Sequence, residues 1–217
     1  MQCFGLFELG PVMASGGGTT THEARKQTDP AGRYVVKVFS PERLVPEEQA
    51  DAKAALDPLL QELGAEFAGR IIAQREAAET SPCFVPIVGA GSEDRGTWYA
   101  TRYYPRSVQS LLKAGVALEA RDIFHILQGL VHAALHLKRA SGRSHGNFKP
   151  ANIFVEGLRK VRNSRVLVAD ALAGDHEDMQ RFERADLRSI GELLYELVLN
   201  RRVDFAQVDV PIEPGLE

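Results

Sequence analysis

The sequence predicts an α+β fold in which a small β-rich part precedes a helical part. Short β-branched and aromatic segments separated by turn residues fill the first hundred residues, and RYVVKVF at 33–39 is the strongest of them. Residues 46–79 are rich in Ala, Glu, Gln and Leu, which favours helix. Residues 120–139 repeat apolar side chains at helical spacing. We therefore expect two units, 1–105 and 106–217.

The β-rich unit contains strands, turns and one helical segment. Strands are predicted over 3–13, 33–39, 84–89 and 97–104, and a further strand is predicted between the glycine-rich loop and the turn at 29–32. A glycine-rich loop covers 14–21, and the Asp-Pro-Ala-Gly stretch before residue 33 is turn chemistry. Within the helical segment 46–79 we expect Gly64 to break the helix, because glycine has a low helix propensity.

The second unit is predicted to begin with helical structure at Ser107. The helix at 120–139 would end at Ser141 and Gly142, and short strands are expected at 153–155 and 165–169. A last helix is predicted over 186–199. Its apolar face is predicted to consist of Leu187, Ile190, Leu194 and Leu197.

The composition limits the possible functions. The 217 residues carry a net charge of −3 and a sequence pI near 6.1, which argues against a nucleic-acid-binding surface. No apolar stretch approaches the roughly 18 residues of a membrane span. The N-terminus has no basic stretch followed by a long apolar stretch, so no signal peptide is expected. Two cysteines, Cys3 and Cys83, form no disulfide framework, and we expect a reducing, cytoplasmic setting.

A glycine cluster and a lysine on the following predicted strand suggest phosphate binding. Gly16, Gly17 and Gly18 lie in a turn between two strands, where backbone N–H groups can surround phosphate oxygens. Lys37 lies on the strand 33–39 and would add a positive charge. The sequence Gly-Lys-Ser/Thr does not follow, so a P-loop is excluded.

The segment His145–Ile153 (HGNFKPANI) resembles the catalytic loop of protein kinases, His-Arg-Asp-Leu-Lys-Pro-x-Asn-Ile. Further resemblances follow in the family's order over essentially the whole chain. They are YVVK at 34–37, the strand and hinge at 99–104 with Thr101 at the gatekeeper position, VADAL at 168–172 and DLRSIGELLYEL at 186–197. The chain is therefore identified as similar to the Ser/Thr kinase superfamily, with a two-lobed protein-kinase-like fold and an apparently truncated second lobe.

The resemblance implies specific roles. Asn147 occupies the position of the catalytic Asp, with Lys149 two residues on, and Lys37 is the phosphate-binding lysine. Asn152 and Asp170 would hold Mg²⁺ if a nucleotide binds. The residues expected to bind ATP are Gly16, Gly17, Gly18, Val35, Lys37, Thr101 and Tyr103.

Several of these motifs depart from the family pattern. An amide at Asn147 cannot act as a general base. Gly146 replaces the Arg that anchors a phosphorylated activation loop, and Ala171 and Leu172 replace Phe and Gly of the Asp-Phe-Gly motif. Only 173–185 separates that motif from the predicted last helix, and no Ala-Pro-Glu occurs. Kinases place a Glu that pairs with the strand lysine on the following helix, and the candidates here are Glu66, Gln74 and Glu76. The spacing back from Ser81-Pro82 favours the region 70–76, and Gln74 in this position would offer Lys37 only a hydrogen bond.

This pattern predicts a bacterial-type pseudokinase, a signalling or scaffold module that binds a protein partner, with possible weak binding of ATP and Mg²⁺. The alternative is an atypical active Ser/Thr kinase that transfers the ATP γ-phosphate to a protein hydroxyl. The last residues, 211–217, do not resemble a natural helical terminus, and we expect a truncated chain.

Overall fold

The computed structural model describes residues 2–40, 50–93, 95–157 and 160–205, with the backbone alone for 50–56 and His176. The first part is a six-stranded antiparallel sheet in the order β1-β2-β3-β4-β6-β5. Its strands are β1 (Cys3–Phe4), β2 (Phe7–Gly16), β3 (Thr19–Lys26), β4 (Asp29–Phe39), β5 (Ile87–Glu93) and β6 (Gly96–Arg102). The expected tail at 211–217 lies outside the described residues.

The prediction of one strand over 3–13 is wrong, because a turn at Gly5 and Leu6 separates β1 from β2. Gly5 has φ +51°, a backbone conformation that favours glycine. A Cβ there would come within 2.9 Å of the Trp98 ring. The positive φ and the close approach of the Trp98 ring therefore explain the glycine in this turn. Strand β5 also begins and ends later than the predicted 84–89.

The two faces of the sheet are set by the alternation of side chains along β4. Tyr34, Val36 and Val38 are buried in one cluster with Phe4, Phe7 and Trp98. Val35 and Lys37 point to the opposite face, and their register partners on β6 are Thr101 and Tyr99. This register brings four side chains together on the face that carries the candidate site.

One long helix, α1 (Ala50–Thr80), connects β4 to β5 and runs through Gly64 without a break. The expected break at Gly64 is therefore wrong. A glycine inside a helix costs about 1 kcal/mol relative to alanine. Burial of Phe67 and Ile71 against Phe39 and Tyr99 of the sheet offsets that cost.

The later part is helical around a small hairpin. It contains α2 (Val108–Lys113), α3 (Ala120–Ser141), β7 (Ile153–Gly157), β8 (Ser164–Val168) and α4 (His176–Leu199). Ser107 caps α2, and Gly142 ends α3 with φ +68°, as the sequence predicts. Strands β7 and β8 form an antiparallel pair, and the buried face of α3 packs on it.

Helix α4 begins ten residues before its predicted start at 186. Asp175 caps it by accepting a hydrogen bond from the Asp178 N–H, at 3.0 Å. Met179 and Phe182 are buried on the early turns. The polar and charged residues around these two side chains conceal the helical pattern in the sequence.

The predicted apolar face of α4 is also partly wrong. Leu187 and Leu194 are 70% and 41% exposed, whereas Leu193 and Leu197 are buried and Ile190 packs against the core. The helix turns a buried acidic residue, Asp186, toward the loop that precedes β7. No helix in the described ranges is long and apolar enough to cross a bilayer.

Candidate functional site

A cavity of about 340 Å³ lies between the sheet and the β7–β8 hairpin. Residues from the sheet, from the connection to α2 and from the loop before β7 line it together. The lining residues that carry the later arguments are Val35, Lys37, Tyr99, Thr101, Phe154 and Asp170. A concave site of this size that combines apolar walls with a few polar groups is typical of a small-molecule pocket.

The inner end of the cavity holds a three-residue cluster. The Lys37 ammonium forms a salt bridge with Oδ2 of Asp170, and the Tyr99 hydroxyl donates a hydrogen bond to Oδ1. Lys37 and Tyr99 are register partners on neighbouring strands. Both oxygens of the Asp170 carboxylate are therefore occupied by donors from the sheet. We refer to these three residues as the inner cluster.

The inner cluster keeps Asp170 ionised. Burial opposes the charge, but the nearby Lys37 ammonium and the hydrogen bonds from Lys37 and Tyr99 outweigh it, so the pKa of Asp170 lies below its ordinary value. Burial raises the pKa of Tyr99 well above its usual range, and the Asp170 charge adds to this. Tyr99 therefore remains a hydrogen-bond donor at neutral pH.

The backbone of the segment that contains Asp170 is held as firmly as its side chain. Asp170 has φ +64°, in the left-handed region that only a minority of non-glycine residues adopt. Its carbonyl accepts a hydrogen bond from Nδ2 of Asn147 at 3.0 Å. The next N–H, of Ala171, donates to Oε1 of Gln74 at 3.1 Å.

Gln74 lies on α1 in the region expected to supply the partner of Lys37, but it does not contact Lys37. Its Nε2 donates to the carbonyls of Val85, at 2.8 Å, and Val168, at 3.3 Å. Of the other candidates, Glu66 pairs with Arg70 and Glu76 with Arg143. In the described part of the chain Lys37 pairs with Asp170, and a buried glutamine joins α1 to the segment after β8.

Asn147 and Asn152 lie in the same loop and are joined to each other. Nδ2 of Asn152 donates to the carbonyl of Asn147 at 3.1 Å. The Asn147 amide group is directed to the backbone of Asp170. An amide in this position organises the loop and has no carboxylate with which to accept a proton.

Asp186 of α4 anchors the beginning of that loop. Its carboxylate accepts hydrogen bonds from the N–H groups of His145 and Gly146, both at 2.8 Å. Burial raises the pKa of Asp186 to about 6, although the two backbone donors oppose this effect. The helix and the loop are thus connected by one buried acidic side chain.

His145 fills the space beneath the loop. Its ring stacks on Phe148 with ring centroids 4.5 Å apart, and Nδ1 accepts the Asn147 N–H at 3.2 Å. Burial lowers the pKa of His145 to about 4, so the ring is neutral at physiological pH. The structure gives this histidine a packing and positioning role in the loop.

The structure explains why residue 146 is a glycine. Its φ is +74°, and a Cβ there would lie 2.7 Å from the Phe182 ring of α4. Because α4 starts early, Phe182 occupies the space beside the loop. The early start also leaves only 171–175 between Asp170 and α4.

Some of the remaining predicted site residues line the cavity and others do not. Val35, Thr101 and Tyr103 line it. Gly17 and Gly18 form the β2–β3 turn with positive φ. Gly16, Gly17 and Gly18 are not among the cavity-lining residues, whereas Met13, Ala14 and Thr21 are. Lys149 is exposed and also lies outside the lining.

Tyr99, Gln109 and Phe154 are lining residues whose roles were not foreseen from the sequence. The alternation of β6 places Tyr99 on the same face as Thr101, and this signal could have identified it. Gln109 and Phe154 come from α2 and β7, so only the three-dimensional packing brings them to the cavity.

The assignment of Asn152 and Asp170 to Mg²⁺ stays a prediction, and the observed arrangement does not fit it. Magnesium prefers six oxygen ligands in octahedral geometry. Both Asp170 carboxylate oxygens already accept hydrogen bonds from the inner cluster. Within the described ranges no group of three or more His, Cys, Asp or Glu side chains could hold a metal ion.

Comparison with known proteins identifies the fold. The sequence matches no family model and no curated protein. Among solved structures, the chain is similar to Rad53 1–466 in complex with AMP-PNP, with a TM-score of 0.59 and 19% identity over 88% of this chain. The match spans 48% of that Rad53 chain. The protein therefore has a protein-kinase-like fold, as the sequence motifs predict.

Proposed function

We propose that the protein is a pseudokinase: a kinase-fold module that binds an adenine nucleotide weakly, does not transfer phosphate efficiently, and acts through a protein partner. The observation that carries this proposal is the state of Asn147. Its side chain is an amide, and that amide is used to hold the backbone of Asp170. Phosphoryl transfer to a hydroxyl relies on a residue that orients the hydroxyl and accepts its proton, and the amide cannot accept it.

Nucleotide binding is supported by the cavity and by the fold. The cavity has apolar walls beside the Lys37 ammonium. The similar Rad53 structure was solved with AMP-PNP, an ATP analogue. Val35, Thr101 and Tyr103 would contact the ring of the nucleotide, and Lys37 would have to exchange its contact with Asp170 for any contact with phosphate.

The short connection after Asp170 argues against phosphorylation of a peptide substrate. Five residues, 171–175, lead directly into α4. Such a connection leaves little chain on which an extended peptide substrate could be held. The cytoplasmic setting and the unit boundary near residue 105 stay predictions.

The alternative of an atypical active Ser/Thr kinase is favoured by one observation. Lys37, Asn152 and Asp170 are all retained, and Lys37 and Asp170 meet at the cavity. An active enzyme would need another group to orient the acceptor hydroxyl. The two functions differ in whether labelled γ-phosphate leaves ATP.

The proposal is tested first by binding. Isothermal titration calorimetry with ATP is expected to show micromolar-to-millimolar binding, of about −8 to −4 kcal/mol. Val35→Phe places a larger side chain in the cavity and is expected to abolish that binding. Val12→Phe is the matched control, because Val12 is exposed on β2 and outside the lining. Equal binding by wild type and Val35→Phe, or no binding by wild type, would refute the nucleotide site.

A further inference from the structure

The inner cluster has a consequence for the kind of ligand that the cavity accepts. Asp170 is fixed from four directions: Lys37 and Tyr99 hold its carboxylate, Asn147 holds its carbonyl, and Gln74 holds the following N–H. These contacts come from β4, β6, the loop before β7 and α1. Each carboxylate oxygen already has a donor, so a cation that binds Asp170 would have to share or displace the contacts from Lys37 and Tyr99.

The cost of breaking those contacts is substantial. A charged group that loses its partner in a largely buried position is destabilised, because little water reaches it to replace the lost contact. The Lys37 and Asp170 side chains are only 28% and 19% exposed, so water compensates incompletely. Mg²⁺ is also strongly hydrated and requires near-ideal geometry.

The phosphate side of the cavity is equally poor in free donors. Lys37 is neutralised by Asp170. Gly16, Gly17 and Gly18 are not among the described residues that line the cavity. Among the described lining residues, Arg102 is the other lysine or arginine, and it lies between Thr101 and Tyr103 in the sequence.

The walls of the cavity are better suited to a planar ring. Val35, Val85, Ala169 and Phe154 supply apolar surface, and Gln109 supplies a side-chain amide nearby. Rings bind in such pockets through apolar contact, with a few polar groups to orient them.

We infer that Lys37 and Tyr99 keep the Asp170 carboxylate from binding a divalent cation. The cavity therefore binds an adenine nucleoside through its ring, with little contribution from the phosphates. Tyr99 is in this view a positioning residue that keeps Oδ1 of Asp170 from a metal. The inference rests on the proposed function, since it concerns the same cavity.

The test compares adenosine, ATP with a chelator, and ATP with excess Mg²⁺, by isothermal titration calorimetry on the whole chain. The three dissociation constants are expected to agree within about threefold, which corresponds to less than about 0.7 kcal/mol. If ATP with Mg²⁺ binds tenfold or more tightly than adenosine, the inference is overturned while the nucleotide site stands. If none of the three binds, the nucleotide site of the proposed function fails, and the inference fails with it.

A pair of tyrosine variants tests the role of the inner cluster. Tyr99→Phe removes one donor from Asp170 and is expected to make ATP binding strengthen with Mg²⁺ by about tenfold. Tyr34→Phe is the matched control, because Tyr34 also donates its hydroxyl to a carboxylate, Asp29, at 2.6 Å, but on the other face of the sheet. Magnesium dependence that stays absent in Tyr99→Phe, or that appears equally in Tyr34→Phe, would overturn the role of Tyr99. Circular dichroism checks that both variants fold.

Discussion

Asp186→Asn is the most informative substitution for the loop that carries Asn147. The Asp186 carboxylate accepts two backbone hydrogen bonds at 2.8 Å and is buried, and burial raises its pKa from 3.8 to about 6. Asparagine has nearly the same shape and keeps one acceptor oxygen, but it cannot ionise. The variant therefore separates the charge of this residue from its position.

The sign of the pH effect follows from linkage. Because the pKa of Asp186 is higher in the folded protein than in the unfolded chain, the folded state binds more protons between about pH 4 and pH 6. The associated stability is complete below pH 3.8 and is lost as the pH rises through about 6. The pKa difference corresponds to about 3 kcal/mol, at 1.36 kcal/mol per pH unit.

His145 acts in the opposite direction over nearly the same range. Burial lowers its pKa from 6.5 to about 4, so the unfolded chain binds more protons and stability rises by about 3 kcal/mol between those values. In the wild type the contributions of His145 and Asp186 largely cancel. In Asp186→Asn only the contribution of His145 to the pH dependence of stability remains.

The assay is urea unfolding followed by circular dichroism, from about pH 4 to about pH 7. The free energy of unfolding of Asp186→Asn, measured relative to wild type at each pH, is expected to rise by about 2–3 kcal/mol across this range. Loss of one hydrogen bond lowers the unfolding free energy of the variant at every pH but does not change how that free energy varies with pH. Parallel curves for the two proteins would refute the reasoning about buried charge in the loop.

Two further substitutions test the packing around the site. Gly146→Ala should lower the free energy of unfolding by about 1–2 kcal/mol for the left-handed φ, and by about 1–3 kcal/mol more for contact with Phe182. Gly142 also has a left-handed φ, but an added Cβ there would have no atom within 4 Å, so Gly142→Ala should show only the cost of the left-handed φ. Equal losses of unfolding free energy in the two variants, measured by thermal or urea unfolding, would contradict this. Gln74→Leu should lower the free energy of unfolding by about 1–3 kcal/mol, because buried backbone groups lose their hydrogen-bond partners. Gln61 is exposed on the same helix, so Gln61→Leu should be near neutral in urea unfolding. Equal effects of the two substitutions would refute the structural role of Gln74.

Several features of the site could be predicted from the sequence because they depend on local patterns. The alternation along β4 directs Val35 and Lys37 to one face, and the motif from His145 onward identifies the loop that holds Asn147. The β4–β6 register then places Thr101 beside Val35. These relations follow from the period of a strand and from motif spacing.

Other features could not be predicted because they depend on contacts distant in sequence. The Lys37–Asp170 pair joins residues 133 positions apart, and the Gln74–Ala171 hydrogen bond joins residues 97 apart. The continuous helix through Gly64 depends on tertiary packing that outweighs local propensity. The sequence pattern does not reveal the early turns of α4, because the buried Met179 and Phe182 stand among charged residues.

Phosphoryl transfer from γ-labelled ATP is the most direct test of the central claim. The chain is incubated with Mg²⁺ or Mn²⁺, alone and with a generic acceptor protein, beside Lys37→Ala and Asn147→Asp variants. We predict that wild-type transfer does not exceed that of Lys37→Ala, because the amide of Asn147 cannot accept the hydroxyl proton. Asn147→Asp is included to show whether restoring the carboxylate increases transfer. Wild-type transfer that disappears in Lys37→Ala would contradict the account and establish an active kinase.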